Sequence, residues 1–145
     1  MSLRIEIKAF DELALGEFHQ LLWLRSRVFV VEQKITEVCE VDEEEPNAHH
    51  LLMWDDDSLV GTTRILTKRD PIKVGRVAVD EDRRGEGLGS RMMEAVGQFL
   101  GDRPAVLHAQ AHLEKWYEEL GWSRVGENFD IVGIDHVRMV WPPEA

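Results

Sequence analysis

Apolar and polar residues alternate near the start of the chain, with Leu3, Ile5 and Ile7 set against Arg4, Glu6 and Lys8. That is the period of a half-buried strand. From Leu15 the period changes: Leu15, Phe18, Leu21, Leu22, Arg25, Val28 and Phe29 recur at helical spacing, with Asp11 ahead of them as a turn or cap. The apolar run that finishes this helix closes on Glu32 and Gln33. Either the helix end returns to solvent there, or a carboxylate and an amide are delivered to the edge of a cleft. Residues 34–47 show no clean period. They carry Glu37, Glu40, Asp42, Glu43, Glu44 and Glu45 before Pro46, which reads as a solvated loop or as an acidic rim that collects protonated amines.

Two strands are predicted over 50–54 and 59–66, joined by Asp55-Asp-Asp-Ser58 as an antiparallel hairpin. His49 and His50 are adjacent, so in a strand they face opposite sides, which suits structural roles better than chelation of one metal. A strand follows over 73–79, then a helix marked by Leu88, Met92, Val96, Phe99 and Leu100 on one face and stopped at Gly101. Beyond it come a buried strand over 105–110, a short helix over 113–120 ended by Gly121, and a last pair of strands over 123–129 and 136–141. The order β–α–ββ–β–α–β–α–ββ predicts an α/β (α+β) fold on a mixed sheet, with residues 1–145 forming one domain.

The stretch between the central strand and the central helix is the most informative. Asp80-Glu-Asp-Arg-Arg84 leads into Gly85-Glu-Gly-Leu-Gly89 and then the helix. Free N–H groups at a helix start point outward, the helix dipole favours negative charge, and glycines let a phosphate approach the backbone. A dinucleotide fingerprint is excluded because Ser90 stands at the third glycine position and no acid follows where a ribose needs one. A P-loop is excluded because Gly-Lys-Ser/Thr is absent. What remains is Arg84-x-x-Gly87-x-Gly89, a phosphate cradle or a plain strand-to-helix turn.

Composition narrows the setting. Hydrophobic content of 43% and charged content of 31% over 145 residues predict a soluble globule with one core. No apolar run approaches a membrane span, no signal-peptide pattern opens the chain, and the one cysteine, Cys39, permits no internal disulfide. The cytoplasm is the expected compartment. A formal net charge of −11 makes nucleic acid a poor partner and would attract a cationic small molecule.

Arg84-x-x-Gly87-x-Gly89 resembles the pyrophosphate-binding signature of the GNAT superfamily of N-acetyltransferases. A second stretch, running from Leu107 through Gln110 and Tyr117 to Gly121-Trp122, resembles that superfamily's strand, tyrosine-bearing helix and Gly-aromatic close. Gln110 stands where many members carry Asn, which resembles the ElaA-like branch. So do Leu24-Arg-x-x-Val-Phe-Val-x-Glu-Gln33 and Gly133-Ile-Asp-His-Val-Arg-Met139. Trp116-Tyr117, where Phe-Tyr is commoner, and the acidic loop depart from the pattern.

The resemblance implies a GNAT-like acyl-CoA N-acyltransferase fold, with a mixed, mostly antiparallel central sheet flanked by helices. It implies acetyl-CoA bound between the strands at 73–79 and 105–110. Val77, Ala78 and Val79 would pair with the pantetheine arm, and an N–H near Val77 would polarise the thioester. Arg84, Gly85, Glu86, Gly87, Leu88, Gly89 and Ser90 would hold the pyrophosphate, and Gln110 completes this set. Acetyl transfer to a primary amine would be direct, with no acyl-enzyme and no metal. Tyr117 would protonate the departing thiolate, and Glu32 and His136 are the candidate bases. The acid-rich loop points to a small cationic amine as acceptor. Rival readings are a non-catalytic acetyl-CoA-binding or sensing module and an enzyme like acyl-homoserine-lactone synthases. Neither nucleic acid nor membrane is an expected partner, and a homodimer is one expected assembly, since related domains often pair.

Overall fold

The computed structural model describes residues 2–143. Seven strands form one sheet: β1 (Leu3–Ala9), β2 (His49–Asp55), β3 (Ser58–Leu66), β4 (Ile72–Val79), β5 (Ala105–Gln110), β6 (Ser123–Ile131) and β7 (Ile134–Trp141). Their spatial order is β1-β2-β3-β4-β5-β7-β6. Among the described residues only β4 and β5 run parallel; every other neighbouring pair is antiparallel. The mixed, mostly antiparallel sheet expected from the sequence is therefore present.

Helices cover both faces. α1 (Leu15–Arg25) lays Leu21 and Leu24 on Leu52, Trp54, Leu59 and Ala78. α2 (Leu88–Leu100) covers the opposite face with Leu88, Met92, Val96 and Leu100, packed with Leu51, Met53, Val74, Leu107 and Met139. α3 (Glu114–Glu119) adds Tyr117 to that second core. Among the described residues no helix is long and apolar enough to cross a membrane.

Two local departures from regular geometry shape the middle of the sheet. Thr62 pairs with Ala78 and Arg64 with Gly75, so Thr63 alone opposes both Arg76 and Val77. This β-bulge places Arg76 at φ 50°, and a bulge bends its strand and increases its twist. Beside it, β4 and β5 pair only at Ile72↔Ala105 and Lys73↔Val106. Beyond those residues the two strands pair no further, and a wedge opens between them.

The second departure is at the end of α1, which continues as a π-helix over Ser26–Glu32. Gln33 donates its N–H to the Val28 carbonyl at 3.0 Å. π-helical turns are rare and collect at functional sites, and side-chain periodicity does not announce them. The final hairpin also runs longer than its pattern predicts. It turns at Val132 and Gly133, with φ 47° and 81°. A two-residue turn of that hand suits a hairpin, but valine is an unusual residue at its first position.

Candidate functional site

A cleft of about 1140 Å³ runs from the glycine loop, past the wedge between β4 and β5, to the sheet face beside α1. At one end lie Gly85, Gly87 and Gly89. Gly85 and Gly87 have φ of 83° and 77°, and a Cβ on either would meet nothing within 4 Å. Positive φ selects glycine here, and the clear space lies in front of the first turn of α2. Such a cradle fits a pyrophosphate. Gly89 does a different job, since a Cβ there would meet the Trp116 ring at 3.3 Å. Trp116 also donates its indole N–H to Ser90 Oγ at 3.2 Å, which fastens α3 to the start of α2. Ser90 therefore already has a partner.

Arg84 reaches back across the cleft mouth. Its Nη2 donates to Glu32 Oε1 at 2.7 Å and to the Val79 carbonyl at 3.1 Å. The Arg84 hydrogen bonds hold the Glu32 carboxyl below its ordinary range. Glu86 lies outside the cleft lining, bonded to Arg83 at 3.0 Å. Glu32 is absent from the lining too, so the structure does not bring it together with the other candidate base.

Around the middle of the cleft stand Val77, Ala78, Val79, Gln110, Tyr117 and His136. The backbone of β4 beyond the bulge has no β5 partner, leaving polar groups available to an added strand-like ligand. Tyr117 is 5% exposed, and burial alone raises its phenol above the usual value. It stays protonated through the physiological range. His136 sits on β7 opposite Gln110. Its Nδ1 lies 2.7 Å from the Ile134 carbonyl oxygen, which can only accept, so Nδ1 is the donor in this contact and Nε2 is the ring nitrogen left without a protein partner among the described residues. Gln110 donates to Gln33 Oε1 at 3.1 Å and ties β5 to the end of the π-helix.

At the far end Glu40, Asp42 and Glu44 of the acidic loop line the cleft, each already paired with an arginine. Arg25 is 1% exposed and bonds Glu45 through both terminal nitrogens, at 2.9 and 2.8 Å. Its Nε bonds Glu40 at 2.6 Å. Arg64 binds Asp42 at 2.7 Å and Glu45 at 3.0 Å, and Arg76 lies 3.1 Å from Glu40. Glu40, Asp42 and Glu45 thus turn inward to neutralise buried arginines. Burial pushes Glu45 upward, but the Arg25 hydrogen bonds and the Arg25 and Arg64 charges outweigh it and hold its carboxyl low. His50 backs this cluster, 3.3 Å from the Glu45 carbonyl, and burial keeps it neutral.

The arginines were not singled out from the sequence as site residues. The available signals were Arg25 on the apolar face of α1, and Arg64 inside the apolar strand run 59–66. A charge in such a place needs a buried partner, but nothing local says which acid it takes.

Comparison with known proteins supports the fold and identifies the family. The sequence profile described as "Acetyltransferase (GNAT) domain" matches residues 16–142. Protein ElaA of Escherichia coli (strain K12) is 38% identical over 137 residues, covering 89% of this chain and 90% of that protein. The crystal structure of Escherichia coli ElaA superposes with a TM-score of 0.86 at 34% identity, covering 96% of this chain and 99% of that one. A crystal structure of an acyl-CoA N-acyltransferase from Pseudomonas aeruginosa gives the same TM-score at 36% identity and the same coverage. An aminoglycoside 6'-N-acetyltransferase complexed with coenzyme A shares the fold, with a TM-score of 0.70 at 18% identity over 93% of this chain and 95% of that one. On motif, fold and relatives together, the chain belongs to the GNAT acetyltransferase family, in its ElaA-like branch.

Proposed function

We propose that the protein transfers an acetyl group from acetyl-CoA to a primary amine within a ternary complex. The observation that carries this reading is one cleft lined by the glycine cradle, the unpaired β4 backbone, Tyr117 and His136. The N–H groups of 84–89 bind the pyrophosphate, with the Arg84 side chain released from Glu32 to join them. The β4 backbone at Val77–Val79 holds the pantetheine arm as a pseudo-strand, and an N–H near Val77 polarises the thioester carbonyl.

An alkylamine arrives protonated, with a pKa of about 10.4. His136 Nε2 takes its proton, directly or through a water. The amine nitrogen then attacks the thioester carbon, the C–N bond forms and the C–S bond breaks. Tyr117 protonates the departing sulfur, the second proton shed by the acetylated nitrogen returns to Tyr117 through solvent, and His136 releases the first proton to solvent. The products are an N-acetylated amine and free CoA. Of the two candidate bases, His136 lines the cleft, whereas Glu32 lies outside the lining as the counter-ion of Arg84.

The test is thiol release from acetyl-CoA in the presence of primary amines, with the acetylated product identified by mass. Tyr117→Phe should lower kcat by roughly 100- to 10,000-fold and leave acetyl-CoA affinity nearly unchanged. Acetyl-CoA binding with no transfer to any amine would instead favour a sensing module.

A further inference from the structure

Resting on that reading, the acceptor's own chemistry can be narrowed. Lys73 is half-buried on β4 and lines the cleft. It pairs in register with Val106 of β5. Two residues further along β5, on the same face, His108 pairs with Arg138 of β7. Three basic side chains therefore project from neighbouring strands onto one sheet face.

The acids near this face already have partners. Glu40, Asp42 and Glu45 are bound to Arg25, Arg64 and Arg76, and Glu44 to Arg69. Among the described residues neither Lys73 nor Arg138 has a carboxylate within ion-pair distance. The surplus of positive charge is local, in a chain whose net charge is −11. It is also felt by its members. Burial, with the charges of Arg69, Arg64 and Arg76, lowers Lys73, and Glu44 offsets them only in part. Partial burial, with Lys73, Arg138 and His136, lowers His108. A half-buried ammonium ion without a counter-charge is unfavourable, and a bound anion relieves it.

We infer that the amine acceptor carries an anionic group, a carboxylate or a phosphate, which Lys73 binds with Arg138 and His108 beside it. Strand geometry sets the spacing. Lys73 lies four residues before Val77, at most about 13 Å along the strand and less across the bulge at Arg76, and the lysine side chain closes part of that distance. The anion and the reacting amine are therefore separated by several bonds. Binding at Lys73 would orient the acceptor so that its nitrogen reaches the thioester, converting remote binding energy into positioning.

Acceptors of matched length test this. Aminocaproate and aminohexyl phosphate should exceed hexylamine and diaminohexane in kcat/KM by at least about 10-fold, the size expected of one charge-assisted hydrogen bond. The better of the two anionic acceptors identifies the group. Lys73→Gln should collapse that preference to near unity, and Lys73→Arg should keep most of it. Equal or faster turnover of hexylamine or diaminohexane by the wild type would overturn this inference and leave acetyl transfer standing. A preference unchanged in Lys73→Gln would also overturn it. No turnover of any amine by protein that binds acetyl-CoA would overturn the acetyl-transfer reading, and this inference with it.

Discussion

The two ends of the cleft are built from different materials. The proposed donor end is mostly backbone: a glycine loop at positive φ, the first turn of α2, and a β4 segment that lies beyond the last β4–β5 pair. The acceptor end is mostly side chains, namely Arg25, Arg64 and Arg76 neutralised by Glu40, Asp42 and Glu45, with Lys73 left over. Backbone sites hold a ligand whose shape is fixed, and they tolerate almost any side chains that preserve the φ and ψ angles. Side-chain sites can be rebuilt residue by residue. A family can therefore keep its donor end and diversify its acceptor end.

Three variants sharpen the contrast, in decreasing order of effect. Gly87→Glu attacks the donor end. Backbone strain at φ 77° costs about 1–3 kcal/mol. Like-charge repulsion at the phosphate cradle adds to this, so the KM for acetyl-CoA should rise by at least about 100-fold. Circular dichroism should stay unchanged. His136→Asn removes the proposed base, and should lower amine acetylation at neutral pH by roughly 100-fold or more. The deficit should narrow as pH approaches about 10, where the amine sheds its own proton. Glu32→Gln should do far less than either. An exposed ion pair contributes about 1 kcal/mol or less to stability, and turnover should stay well short of the 100-fold loss expected for a general base.

The acceptor end gives a separate stability signature. Removing one partner of a buried ion pair leaves the other uncompensated, so Glu45→Gln should destabilise the fold by about 3–5 kcal/mol in denaturant titration. The pH dependence has a definite sign. Glu45 and Asp42 are held low in the fold, Asp42 because the Arg64 and Glu44 N–H bonds outweigh burial. Their contribution is fully present above the unfolded carboxylate range of about 4, and is lost as pH falls through the lower folded values. His50, kept neutral by burial, adds a decline of the same sign that begins below about pH 6.5. In Glu45→Gln the acid limb should be shallower than in the wild type.

The same contrast explains what could be read from the sequence. Gly85, Gly87 and Gly89 announce the donor end because few other residues reach those angles or admit those neighbours. α2 and the strands were legible from periodicity, and β4 was placed to within one residue of its start. Tyr117 and His136 could be nominated as site residues by resemblance, though only the coordinates put them in one cleft. The acceptor end was not legible. Arg25 meets Glu45, and Arg64 meets Asp42, across about 20 residues of sequence, and no local pattern selects such pairs. A run of six acids reads as a solvated face until the buried arginines that claim half of it are known. The π-helical turn at 26–32 and the positive φ of Arg76 and Val132 were equally silent, since none of these residues favours that backbone.

The most direct test of the account is a calorimetric titration of acetyl-CoA into the wild-type protein. The account predicts saturable binding at one site per chain with a micromolar Kd, abolished in Gly87→Glu. Folded protein that takes up no acetyl-CoA would contradict it, and would reduce the glycine loop to a turn between strand and helix.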